Sequence, residues 1–181
     1  MRIETYDTGG IYGAQGKASD SKVNKNKDQF SPAGPILALD LGQKLVGAAI
    51  SDERLITTKP LPPLKRSNWK KLLQDVRHLI ERFDAQTIVV GLPLRLDGTD
   101  GDAAKDVRRL TANLAKSIEL PVYLQDERLT SVEATANLKA AGVKPADIPA
   151  LVDGEAAAMI LRDFLQTDQQ RIRVPSETNQ E

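Results

Sequence analysis

The spacing of apolar positions changes along this chain, and the changes predict its elements. The run Ile36-Leu37-Ala38-Leu39 is apolar throughout and ends in Asp40. After Leu41-Gly42-Gln43-Lys44 a second run covers Leu45 to Ile50. Two such runs joined by a short glycine-containing turn predict a β-hairpin. A third short strand is predicted over part of Leu55 to Leu61, stopped by Pro62-Pro63 because proline cannot donate to a ladder. Trp69, Leu72, Leu73, Val76, Ile80 and Phe83 then recur at helical spacing, with Ser67 as the expected N-cap. Thr87-Ile88-Val89-Val90 is β-branched throughout, the pattern of a strand covered on both faces, and stops at Gly91-Leu92-Pro93.

Val107, Leu110, Leu114 and Ile118 form the stripe of a second helix, and Val122-Tyr123-Leu124 is a strand running into Asp126-Glu127-Arg128. Thr130-x-x-Glu133 has the form of a capping box opening a helix that stops near Gly142. A last helix, predicted to start near Asp153, carries Ala157, Ile160, Leu161 and Phe164. An antiparallel meander followed by strand–helix–strand crossovers gives an α/β fold, a mixed five-stranded sheet with helices on both faces. Residues 1–33 are glycine-rich and polar with almost no apolar periodicity, and read as a disordered N-terminal extension. The domain is expected over 34–167, with 168–181 a polar C-terminal tail.

Composition narrows the chemistry. The chain has 181 residues, with 25 Lys+Arg against 25 Asp+Glu, so bulk positive charge cannot drive nucleic-acid binding. Any such contact has to come from a local patch. There is no Cys, which excludes thiol nucleophiles, disulfides and Cys-ligated metals. The single His, His78, excludes a multi-His metal site and falls off the apolar stripe of its helix. No apolar run approaches the roughly 20 residues of a membrane span, and the N-terminus has no apolar signal core. The expected compartment is the cytoplasm. Chemistry based on carboxylates and hard metals stays open.

Three acids fit that chemistry. Ligands of such a sheet bind beyond the carboxyl ends of its parallel strands. Asp40 ends the first strand, and Glu127, beside Asp126, ends the strand at 122–125. Asp153 precedes Ala157 by four residues and Ile160 by seven, which puts it on the sheet-facing stripe at the N-terminal end of the last helix. Carboxylate oxygens suit Mg²⁺ and Mn²⁺, and two such ions about 4 Å apart can activate water and stabilise the leaving oxygen in phosphodiester hydrolysis. Each acid also has a plainer reading: Asp40 as a turn cap, Asp153 as a helix N-cap, Glu127 paired with a surface base.

The motifs add a resemblance. Asp40-Leu41-Gly42-Gln43-Lys44 with Val46-Gly47-Ala48-Ala49-Ile50-Ser51-Asp52 resembles the opening of the YqgF (RuvX) family, pre-16S rRNA nucleases related to the RuvC Holliday-junction resolvases. Val89-Val90-Gly91-Leu92-Pro93-Leu94 with Asp97-Gly98-Thr99, then Asp126-Glu127-Arg128-Leu129-Thr130-Ser131-Val132-Glu133-Ala134, and then Asp153 with Ala156-Ala157 and Ile160-Leu161, are similar to its second, third and fourth motifs. The resemblance covers nearly all of 34–167, in order. It implies a ribonuclease-H-like fold, with Asp40, Glu127 and Asp153 as catalytic, metal-binding acids. It also implies maturation of the 5′ end of 16S rRNA. Where the family usually has Lys-Arg, this chain has Lys44-Leu45.

The expected enzyme is therefore a hydrolase, a Mg²⁺- or Mn²⁺-dependent endonuclease. Its partner is RNA in a ribosomal precursor particle. A Holliday-junction-type DNA resolvase and a non-catalytic RNA-binding or transcription-associated module are the alternatives. No membrane partner is expected, and the chain is expected to be a monomer or weak homodimer. Lys44, Arg95 and Arg128 lie near the proposed edge as candidate contacts to substrate phosphate. Trp69 sits beside Lys65, Arg66, Lys70 and Lys71 and could stack a base, but its register with Leu72 and Val76 favours packing.

Overall fold

The structure is a computed structural model that describes residues 32–127, 130–166 and 171–175, with the side chains of 130–133 and 149–150 outside the description. Strands β1 (Ile36–Leu41), β2 (Leu45–Ser51) and β3 (Thr58–Lys65) form the meander. Helix α1 (Trp69–Phe83), β4 (Thr87–Leu92), α2 (Asp102–Ser117) and β5 (Val122–Asp126) follow. Helices α3 (Thr130–Ala140) and α4 (Ile148–Gln166) and the short strand β6 (Arg171–Arg173) complete it. The sheet order is β3-β2-β1-β4-β5-β6. The pairs β1–β4 and β4–β5 are parallel, and the others are antiparallel.

The predicted mixed sheet with helices on both faces is present, with six strands among the described residues instead of the expected five. The sixth lies in the segment read as a tail. Its Ile172 pairs with Leu124, and Arg171 donates from Nε to the Phe164 carbonyl at 2.9 Å while its guanidinium covers the Phe164 ring at 4.5 Å. The β5 partner is distant in sequence, so no local pattern announces the strand. The third strand also runs further than expected, through Pro60, Pro62 and Pro63. It is an edge strand, and on an edge the missing proline N–H groups deprive no second neighbour of a hydrogen bond.

Strand alternation sends side chains to two cores. Leu37, Leu39, Val46, Ile88, Val90, Leu92 and Leu124 pack with Leu72, Val76 and Leu79 of α1 and with Val107 and Leu114 of α2. Ile36, Ala38, Ala49, Val89 and Tyr123 face the other way, against Ala157, Ile160, Leu161 and Phe164 of α4. Helix α3 covers the outside of α4 through Ala134, Ala156 and Met159. Trp69 is half-buried and packs on the first core, as its helical register predicts, and His78 is exposed.

The caps follow local chemistry. Helix α1 is capped by Asn68 rather than Ser67, its side-chain oxygen accepting from the Lys71 N–H at 2.9 Å. Gly142, at φ +77, ends α3. The Gly142 N–H donates to the Lys139 carbonyl and the Val143 N–H to the Leu138 carbonyl, the paired bonds of a Schellman motif. The capping-box side chains Thr130 and Glu133 lie outside the described residues. Among the described residues no helix is long and apolar enough to cross a membrane.

Candidate active site

Asp40 is the fifth residue of β1 and shares the face of Ile36 and Ala38, the one covered by α4. Glu127 directly follows β5, where Tyr123 faces α4, and the same alternation carries to 127. Its N–H donates to the Leu92 carbonyl at 3.2 Å, continuing the β4–β5 ladder one step past the strand. Two acids from parallel-running strands thus leave the sheet at one edge and on one face.

Asp153 comes down on them from α4, with a correction. The helix begins at Ile148, not near Asp153, so Asp153 lies in its second turn. An N-cap precedes the helical residues, so the capping role does not apply. Its place on the stripe of Ala157, Ile160 and Phe164 does hold. The turn after β1 likewise closes through main chain, the Gly42 N–H donating to the Asp40 carbonyl at 3.0 Å. All three acids are half-buried.

Their electrostatics reflect that crowding. Burial, and then the charge of Asp153, push the Asp40 carboxyl up to about 6. Burial, then Asp40, then Asp126, push Glu127 up to about 8. Asp40 is the common member of both couplings. Among the described residues no three acids are gathered tightly enough to hold a single ion together. The donor set is carboxylate oxygen, the chemistry that Mg²⁺ and Mn²⁺ prefer. Like charges held against their mutual repulsion in a partly desolvated place are what a divalent cation relieves.

The cations divide. Lys44 is exposed on the β1–β2 turn, beyond the end of the strand that carries Asp40, and Arg95 is exposed on the loop after β4, the strand between β1 and β5. The Arg95 loop is tightly folded: Asp97 Oδ1 accepts from the Thr99 N–H at 2.9 Å and its hydroxyl at 2.7 Å, and Leu94 bridges Asp100. Arg128 lies outside the described residues. Sequence reasoning missed Arg66 as a brace of this edge. Its guanidinium donates to the Gly42 carbonyl at 2.9 Å and pairs with Asp106 of α2 at 2.6 Å, tying the turn after Asp40 to the helix layer. Both partners are far from it in sequence, so only tertiary structure reveals the role.

Known proteins resemble this chain at every level. It is 37% identical to a Syntrophus aciditrophicus protein named "Putative pre-16S rRNA nuclease" over 142 residues, 78% of this chain and 94% of that one. It is 40% identical to a Koribacter versatilis protein of the same name over 140 residues, 77% of this chain and 92% of that one. Among solved structures it is similar to Thermus thermophilus RuvC in complex with a Holliday junction substrate, with TM-score 0.49, 16% identity, and coverage of 78% of this chain and 99% of that one. The fold is a mixed α/β sheet covered by helices on both faces, as the patterning predicts. A family model described as "RuvX: Holliday junction resolvase" matches residues 34–167, and with relatives aligned over most of its length the chain belongs to the RuvX family.

Proposed function

We propose that this protein is a divalent-metal-dependent endonuclease that cleaves phosphodiester bonds in precursor 16S rRNA, in the cytoplasm where that precursor is made. What supports the reading is that β1, the end of β5 and α4 bring Asp40, Glu127 and Asp153 to one face of the sheet at one edge. The names of the relatives supply the substrate class.

Asp40, Glu127 and Asp153 would hold Mg²⁺ or Mn²⁺, with Asp40 shared between its two neighbours. Bound there, such ions supply an activated water and neutralise charge on the phosphoryl and leaving oxygens. The remaining work belongs to the chain. The rigid β1 ladder fixes Asp40, the β4–β5 ladder fixes the backbone of Glu127, and the body of α4 fixes Asp153. Lys44 and Arg95, with Arg128 beyond them in sequence, grip phosphates flanking the cut and set the strand across the acids. Electroneutral composition makes this grip local and modest.

The decisive measurement is a cleavage assay with Mg²⁺ or Mn²⁺ on pre-16S rRNA, unstructured single-stranded RNA and a four-way DNA junction, with Asp40→Asn as control. Metal-dependent cutting of the rRNA precursor, abolished by Asp40→Asn, is the expected result. Preference for the DNA junction would make the protein a resolvase. Binding without cleavage under every metal condition would make it a non-catalytic RNA-binding module.

A further inference from the structure

Gly91 is buried inside β4, between β1 and β5, and its φ does not lie in the left-handed region. Backbone conformation therefore does not demand glycine there. Glycine in a strand interior weakens the strand and leaves nothing to pack, so its presence marks the close approach of another group. A Cβ at position 91 would overlap Glu127 Oε2 and would stand 2.7 Å from Glu127 Cδ and 2.5 Å from Ile160 Cδ1. The carboxylate occupies the volume that any other residue at 91 would fill, in the strand adjacent to β1 and on the face of Asp40.

We propose that Gly91 is a positioning residue: its missing side chain is the seat that holds the Glu127 carboxylate inward over β4, and so sets how tightly the acidic edge binds a divalent ion. The second half rests on reading that edge as metal-binding. Gly47 offers a contrast. There the added Cβ would overlap the Asp153 carbonyl oxygen and lie 2.7 Å from its carbonyl carbon, so the obstacle is helix backbone. At Gly91 the obstacles are two side-chain tips, which can swing aside. Gly91→Ala should therefore fold and misplace one carboxylate, whereas Gly47→Ala should strain the packing of α4.

The test uses the full chain as wild type, Gly91→Ala, Glu127→Ala and the double variant. In a crystal structure of metal-free Gly91→Ala, the Glu127 carboxylate is expected to have left its place over β4, with β4 and α4 unmoved. In Mn²⁺ calorimetry, Gly91→Ala is expected to weaken binding about tenfold, the scale on which orienting groups act at metal sites. The double variant should bind no more weakly than Glu127→Ala alone. Losses that add in the double variant, or a carboxylate that stays put while backbone yields, would overturn the proposal. If Gly91→Ala folds too poorly to crystallise, melting decides: the seat predicts that Gly91→Ala costs less once Glu127 is already Ala, where only the Ile160 overlap remains, and an equal cost in both backgrounds refutes it. Wild-type protein that binds no Mn²⁺ would sink the metal reading and the affinity half with it, while the crystal structure would still decide the seat.

Discussion

Asp40 and Gly47 stand directly opposite each other across the β1–β2 ladder, and the space a side chain at 47 would fill is taken by the main chain of Asp153. The neighbour of one acid is bare so that the helix carrying another can descend onto the sheet. Gly154, the next residue of α4, repeats the device, since a Cβ there would come within 2.9 Å of the Leu61 carbonyl. Close helix–sheet approach at this corner creates the Asp40–Asp153 repulsion.

Gly47→Ala should therefore be costly. The obstacle is a carbonyl in a helix, and overpacking of this kind costs about 1–3 kcal/mol. For a domain of this size that corresponds to a fall in melting temperature of roughly 2–12 °C. A thermal melt matching wild type would show that α4 does not rest on β2 as described.

Asp40→Asn should act in opposite directions with and without metal. It removes a charge that repels both Asp153 and Glu127, so the metal-free protein should be as stable as wild type or slightly more so. On the proposed reading it also removes a metal ligand, so most of the rise in melting temperature given by Mn²⁺, and all cleavage, should disappear. Melts of both proteins with and without Mn²⁺ check this. A destabilised variant that still responds fully to Mn²⁺ would return Asp40 to a purely structural role.

Stability should fall with rising pH in the absence of metal. Glu127 is pushed up to about 8 and Asp40 to about 6, whereas unfolded carboxyls titrate near about 4. Between those values the folded chain holds protons that the unfolded chain has released, so folding loses stability as pH rises from about 4 to about 8. Melting temperatures of wild type and Glu127→Gln across this window give the check, the slope being shallower in the variant. Mn²⁺ competes with those protons, so the stabilisation it gives should grow over the same range. A pH profile unchanged by Glu127→Gln would contradict the assignment.

Nucleic-acid affinity should be modest, with a shallow dependence on salt. With no net positive charge, attraction depends on a few cations such as Lys44 and Arg95. Each phosphate contact contributes a slope of about −0.9 in log affinity against log salt on duplex DNA, and less on single strands. Lys44→Ala and Arg95→Ala should each flatten the slope by about one contact and weaken binding to all sequences alike. Fluorescence anisotropy at several salt concentrations measures it. Slopes unchanged in both variants would move the phosphate grip elsewhere.

Much of this architecture is set by local sequence. Period-two and 3.6-residue patterns fix most of the elements, because burial of one face is written into neighbouring residues. The same alternation puts Asp40 on the face of Ile36 and Ala38, and helical spacing puts Asp153 on the stripe of Ala157 and Ile160. Gly142 as the stop of α3 is equally local, since it needs only a left-handed residue. Tertiary structure decided what depends on distant partners. The prolines of β3 are tolerated because, among the described residues, no further strand pairs beyond it, a fact of sheet order rather than composition. β6 forms by pairing with the distant β5, Ile172 opposite Leu124, and Arg66 braces the turn after Asp40 because α2 brings Asp106 to it. The shifted start of α4 settled that Asp153 is not a cap. Gly47 and Gly91 read in sequence only as glycines within or at the end of apolar runs. Their meaning, room for a helix backbone and for a carboxylate, appears only once the chain packs against itself, because a missing side chain is explained by what fills its place.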